Sequence, residues 1–161
     1  MVRPGRKRRR IPEVTFRDGI VADLPTIVRL LADDQIAAPR EDGSMPPDAR
    51  YAAGFDRMAA QGGRLIVMLD GDAIVGCMQI NIIHGVSALG QSVMQIEGVR
   101  VDKTRRGQGL GRLLMEYAVA QARGAGCATT QLTTRLERTE AQAFYTALGF
   151  VQSHAGFKRV V

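Results

Sequence analysis

The chain has 161 residues, 45% of them hydrophobic and 24% charged, with a formal net charge of +6 and two cysteines. That length and apolar content suit one domain around one core. No apolar run reaches the roughly 20 residues needed to span a bilayer, the basic N-terminus lacks the apolar segment of a secretory signal, and two cysteines are too few for a disulfide framework; a soluble, cytoplasmic protein is expected.

Taken in chain order, the first feature is a basic leader: Arg3, Arg6, Lys7, Arg8, Arg9 and Arg10 are six of the 22 basic residues, leaving 16 basic against 16 acidic side chains in residues 11–161. The leader, residues 1–12, is expected to be disordered, and residues 13–161 to form a single domain. A neutral body gives no electrostatic footprint for specific nucleic-acid binding. Val14-Thr15-Phe16-Arg17 reads as a strand. Asp23 to Asp33 places Leu24, Ile27, Val28, Leu30 and Leu31 at helical spacing, with Asp23 as N-cap and Pro25 in the first turn. Residues 36–49, broken by Pro39, Gly43, Pro46 and Pro47, read as a loop, and 48–60 as a weaker helix ending at Gly62-Gly63.

From Leu65 the period shortens: Leu65–Leu69, then Asp70-Gly71-Asp72, then Ala73–Ile82 form a hairpin pattern. A further strand is expected at Ser92–Val101, and a helix between Gly109 and Arg123 with Leu110, Leu113, Leu114, Tyr117 and Ala118 on one face. Cys127–Thr134 is β-branched and extended. Thr139-Glu140-Ala141-Gln142 has the form of a capping box opening a helix through Leu148, and Phe150–Ser153 and Phe157–Val161 would close the sheet. This order describes a mixed α/β domain without internal repeats. Cys77 and Cys127, inside apolar segments, read as buried core thiols with no metal-ligand spacing.

The chemistry concentrates in Val99-Arg100-Val101-Asp102-Lys103-Thr104-Arg105-Arg106-Gly107-Gln108-Gly109-Leu110-Gly111-Arg112, a strand, a glycine-rich turn and an amphipathic helix. Unpartnered N–H groups at a helix start hold phosphate-type anions, glycines allow close approach, and Arg106 and Arg112 add counter-charge. A nucleoside triphosphatase loop would need Lys-Ser/Thr after the glycines, and a dinucleotide fingerprint would need glycine where Arg112 stands. Both are excluded, leaving a pyrophosphate cradle of another kind.

Arg106-Gly107-Gln108-Gly109-Leu110-Gly111 has the Arg/Gln-x-x-Gly-x-Gly/Ala form and resembles motif A of the GNAT superfamily of acyl-CoA-dependent N-acyltransferases. Ala141-Gln142-Ala143-Phe144-Tyr145-Thr146-Ala147-Leu148-Gly149-Phe150, about 30 residues downstream, resembles its motif B. The resemblance implies a central, mostly antiparallel mixed sheet of six to seven strands flanked by about four helices, with the fourth and fifth strands splayed around acetyl-CoA. It implies acetyl-CoA as co-substrate, with no metal. Backbone groups of Val99, Arg100 and Val101 would meet the pantetheine arm, and Arg106, Gly107, Gln108, Gly109, Leu110, Gly111 and Arg112 the pyrophosphate.

The activity so implied is direct acetyl transfer to a primary amine of a small molecule. The alternatives are a peptide or protein amine as acceptor, or a non-catalytic acyl-CoA-binding module. An amine with a pKa near ~10.4 is mostly protonated at neutral pH, and freeing its lone pair costs about 4–5 kcal/mol. Glu97, two residues before Val99 and by strand alternation on the same face as Val99 and Val101, is the candidate base, directly or through water. Tyr145 matches the family position whose phenol protonates the departing thiolate. Arg138 replaces an asparagine common in the family, and two roles stay open for it: touching the cofactor or capping the helix. His84 and His154 read as structural or solvent-facing. Asp33, Asp34, Glu41 and Asp42 flank a loop that the resemblance places near the acceptor; an amine-attracting wall and a solvated acidic loop are both open readings. Dimers are common in the family, so a homodimer belongs to the same expectation, with no membrane partner.

Overall fold

The computed structural model describes residues 13–34 and 38–161, so the basic leader lies outside the described residues. Strand β1 (Thr15–Asp18) and helices α1 (Leu24–Ala32) and α2 (Ala49–Ala60) precede the hairpin β2 (Arg64–Asp70) and β3 (Ala73–Ile83). A single turn α3 (Ser87–Gly90) leads to β4 (Val93–Val101), then α4 (Leu110–Gly124), β5 (Thr129–Leu132) and α5 (Thr139–Ala147). The loop read between α1 and α2 contains one short 3-10 turn, Ala38–Arg40.

The strands lie in the order β1-β2-β3-β4-β5. The first four are antiparallel and β5 is parallel to β4. Gly71 turns the hairpin with a positive φ of 59°. The parallel pair exists because α4 carries the chain back across the sheet between its two strands. Alternation then sorts the side chains by face. Ile66, Met68, Met78, Ile80, Met94 and Ile96 pack against Leu110, Leu114, Met115, Ala118 and Ala122 of α4, while Val67 and Cys77 pack beneath Ile27 and Leu30 of α1. Each large apolar side chain so buried contributes about 2 kcal/mol, which explains why the α4 face holds the main core.

Three local expectations differ. Phe150–Ser153 and Phe157–Val161 form no strand, so the described sheet has five strands rather than six or seven. Their composition favours extended backbone, but a strand also needs a partner ladder, which is not a local property. The capping box does not form either: Arg138 is the N-cap of α5 without a side-chain cap bond, and Gln142 donates to the carbonyls of Arg135 and Leu136 instead. Asp23 occupies the N-cap of α1 but turns its carboxylate backwards, accepting from Ile20 N–H and from Arg17 at 2.6 and 2.9 Å. The Arg17 guanidinium holds that carboxyl below its ordinary pKa.

Candidate active site at the fork between two strands

The ladder between β4 and β5 covers only Val93 to Ile96 against Thr129 to Leu132, although β4 continues to Val101. Past Ile96 the two strands part, and the backbone of Val99, Arg100 and Val101 is paired on one side alone, with Gly76 and Cys77 of β3. The splayed strands implied by the resemblance are therefore present, and among the described residues no β5 backbone pairs with this stretch of β4, whose Val99 and Val101 carbonyls accept only from the side chains of Arg100 and Arg106.

Glu97 is the first β4 residue beyond that fork. Its face differs from expectation. Gly98 has a φ of +59°, and the β3–β4 register slips between Cys77 and Gln79 because Gly98 and Val99 together oppose Met78. This β-bulge reverses the alternation. Before it Met94 and Ile96 face α4; after it Val99 and Val101 do. Glu97 thus lies on the sheet face opposite Val99 and Val101, not on theirs, together with Arg100. A lone glycine within a strand pattern is the sequence signal that announces such a bulge. Glu97 is exposed and has no ion-pair or hydrogen-bond partner among the described residues, which leaves its carboxylate available to a ligand.

Gly107 and Gly109 have φ of +73° and +85°, a region side chains avoid, and no atom within 4 Å of a built Cβ at either. Gly109 is the N-cap of α4 and supplies no side-chain cap, so the first N–H groups of a 15-residue helix are left for an anion. Leu110 contributes only backbone, because its side chain is buried in the core. Gly111 serves packing: a Cβ there would sit 3.2 Å from Phe144 Cζ, so glycine lets α5 approach α4. Arg106 is exposed and donates to Val101 O at 3.3 Å, Arg112 makes an exposed i,i+4 pair with Glu116 at 3.5 Å, and Gln108 accepts from Arg105. The cradle and the open stretch of β4 fit a diphosphate followed by a pantetheine arm.

Tyr145 packs edge-on against Phe144 and Phe150, at 5.2 and 6.0 Å between ring centroids. Burial raises its phenol pKa above the ordinary value, opposed by the smaller pull of Arg100 and Arg138. Those two arginines form a cluster that sequence reasoning missed. Asp34, just past α1, accepts two bonds from Arg138 at 2.6 and 2.8 Å, and Arg100 Nη2 lies 3.6 Å from the same carboxylate. Arg100 also donates to Val99 O, while its buried Nε has no partner. Arg138 therefore braces α5 to the end of α1, and of the two roles left open for it the helix-capping bond is not observed.

The other acidic residues of the first loop are also engaged. Asp33 pairs with Lys103, Tyr51 donates to Glu41, and Asp42 accepts from Ser44 N–H. His84 meets Ser92 and His154 meets Ser153, both on the surface. Cys77 is buried and its thiol pKa is pushed up to about 12 by desolvation, whereas Cys127 is half-buried. Two concave surfaces of about 300 Å³ lie along α4, one bordered by Arg64, Met94 and Gln121 and the other by Arg112, Leu148 and Phe150. Neither touches Glu97 or Tyr145, so backbone and charge locate the site better than cavity shape. Among the described residues no three potential ligands group around a metal position, and no helix is long and apolar enough to cross a membrane.

Comparison with known proteins agrees with this geometry. The model of the acetyltransferase (GNAT) family matches residues 26–150. The aminoalkylphosphonate N-acetyltransferase of Salmonella typhimurium is 27% identical over 146 residues, 91% of this chain and 72% of that protein. Glucosamine 6-phosphate N-acetyltransferase 1 of Oryza sativa is 29% identical over 119 residues, 68% of each chain. A crystal structure described as a transcriptional regulator from Bacillus halodurans superimposes with a TM-score of 0.88 at 36% identity, covering 92% of this chain and 100% of that one. The mixed five-stranded sheet, its fork and the matched family model identify the chain as a member of the GNAT family, an acetyl-CoA-dependent acyltransferase.

Proposed function

We propose that the protein transfers the acetyl group of acetyl-CoA to a primary amine of a small molecule by direct attack within a ternary complex. The observation that carries this reading is the fork itself: β4 loses its β5 partner just where an unpaired carboxylate, Glu97, projects from it. The N–H groups at the start of α4, with Arg106 and Arg112, would hold the diphosphate, and the one-sided backbone of Val99 to Val101 would align the thioester. Glu97 accepts the ammonium proton, directly or through water, so that the neutral nitrogen attacks the carbonyl carbon. As the tetrahedral adduct collapses and the C–S bond breaks, the Tyr145 phenol donates its proton to the departing thiolate, while the second proton of the attacking nitrogen passes to solvent, leaving the neutral amide, and the tyrosinate is reprotonated from solvent. Small-molecule acceptors are favoured over peptides by the curated relatives, whose names specify an aminoalkylphosphonate and glucosamine 6-phosphate.

The test is release of free thiol from acetyl-CoA in the presence of a panel of primary amines. Glu97→Gln should lower kcat/KM by about 10²–10⁴-fold, the usual contribution of a general base, with acetyl-CoA affinity unchanged. A variant that keeps the wild-type kcat/KM places the base elsewhere. Acetyl-CoA binding with no amine-dependent thiol release would instead favour a binding module.

A further inference from the structure

The sheet face that carries Glu97 changes character along its length. Under α1 it is apolar, with Leu65, Val67, Leu69, Ile74 and Cys77. Beyond that cover, toward β5, two successive ranks on this face are polar, bounded at the far end by the apolar pair Ile83 and Val93. Gln79 stands opposite Glu97, and Asn81, Gln95 and Gln131 stand opposite one another across β3, β4 and β5. Their strand neighbours Met78, Ile80, Met94, Ile96 and Leu132 all face α4, so these carboxamides point away from the main core by the strand period. All four are half-buried or exposed. A sheet face in a domain of this size is ordinarily given to apolar packing, and a rank of carboxamides on it needs a different explanation.

The rank is also oriented. Gln131 Nε2 donates to Gln95 Oε1 at 2.9 Å, which leaves the Gln95 amide hydrogens and the Gln131 carbonyl turned to other partners. Asn81 has no hydrogen-bond partner among the described residues, and its side chain lies against Gly63, where a Cβ would collide with it. Along β4, Gln95 is two residues from Glu97, roughly 7 Å.

We propose that this carboxamide row is the acceptor-specificity floor, and that it selects an amine carrying uncharged hydroxyl groups, an amino sugar or aminopolyol, over a plain alkylamine. This rests on the acetyl-transfer reading, with the nitrogen at Glu97. A hydroxyl both donates and accepts, as do carboxamides, so hydroxyls a few bonds from the nitrogen find both kinds of partner at that distance. An alkyl body would strip water from Gln95, Asn81 and Gln131 without replacing it, which is unfavourable. The row carries no cation, so it offers a phosphate group nothing beyond what it offers a hydroxyl.

The experiment compares glucosamine, cyclohexylamine and glucosamine 6-phosphate as acceptors in the thiol-release assay. Binding of glucosamine to the coenzyme A-loaded protein is measured in parallel by calorimetry. Glucosamine should exceed cyclohexylamine by at least about tenfold in kcat/KM, and its phosphate should do no better than the parent sugar. Gln95→Ala and Asn81→Ala should each raise the KM for glucosamine by about fivefold, the effect of one lost hydrogen bond, with a smaller change in kcat. The calorimetric Kd for glucosamine should rise in parallel. A preference for cyclohexylamine or the phosphorylated sugar overturns the inference, as do variants that keep the wild-type glucosamine KM and Kd. Turnover with an unaltered preference leaves the transferase reading standing while the floor falls. Glucosamine binding that is lost in Gln95→Ala, without turnover in the wild type, does the reverse.

Discussion

Arg138→Ala separates a structural brace to Asp34 from a contact with the cofactor. In the structure its guanidinium makes two bonds to Asp34, at 2.6 and 2.8 Å, with side-chain exposures of 21% and 14%. Exposed ion pairs contribute 0–1 kcal/mol, whereas removing one partner of a fully buried pair costs 3–5 kcal/mol. Partial burial and two charge-assisted bonds place this pair between those limits, at about 2.5 kcal/mol. For a chain of this size each kcal/mol lowers the melting temperature by roughly 2–4 °C, so a decrease of about 5–10 °C is expected. Thermal denaturation of Arg138→Ala, Asp34→Ala and the double variant gives the coupling directly, expected near 2 kcal/mol after allowing for Arg100, which remains 3.6 Å from the same carboxylate. Acetyl-CoA titration of the same proteins supplies the contrast. An unchanged melting temperature with weakened acetyl-CoA binding would refute the brace and make Arg138 a cofactor contact.

Tyr145→Phe removes the donor proposed for the thiolate and should lower kcat more than the KM for acetyl-CoA. Because burial raises the phenol pKa, the wild-type rate should hold to a pH above the ordinary tyrosine range before falling, a limb that the phenylalanine variant lacks in a full pH–rate profile. Gly109→Val places a β-branched residue at φ +85° and should abolish acetyl-CoA binding by calorimetry. Gly111→Val should instead lower the melting temperature, through its clash with Phe144. With its thiol pushed up to about 12 and fully buried, Cys77 should resist alkylation in the native protein at pH 8 and react after denaturation, as mass spectrometry of iodoacetamide-treated protein would show. Native-state labelling of Cys77 at that pH would contradict the burial.

Much of the candidate site was legible because its signals are local. The cradle follows from glycines at Gly107 and Gly109 followed by a helical apolar face, and backbone conformation at those positions depends on the residue itself. Tyr145 followed from a motif contained in one helix. The hairpin at Asp70-Gly71-Asp72 and the α4 stripe were legible for the same reason: turn chemistry and side-chain period act over a few residues. Other readings needed the partner strand. The faces of Glu97, Val99 and Val101 depend on how many β4 residues oppose Met78, a count fixed by pairing between β3 and β4. The five-strand limit likewise depends on a ladder that residues 151–161 do not join.

The sequence alone pointed to the family through two short motifs and specified the hairpin and the helices α1, α2, α4 and α5, since motif, turn chemistry and periodicity are written in short stretches of chain. Only the tertiary structure decided which face Glu97 presents, that Arg100 and Arg138 share an Asp34 lying far before both in the chain, 104 residues before Arg138, and that Asn81, Gln95 and Gln131 form one row. Those arrangements arise from strand register and from charges brought together across the fold, and register is set by the balance of packing over the whole sheet rather than by any one segment.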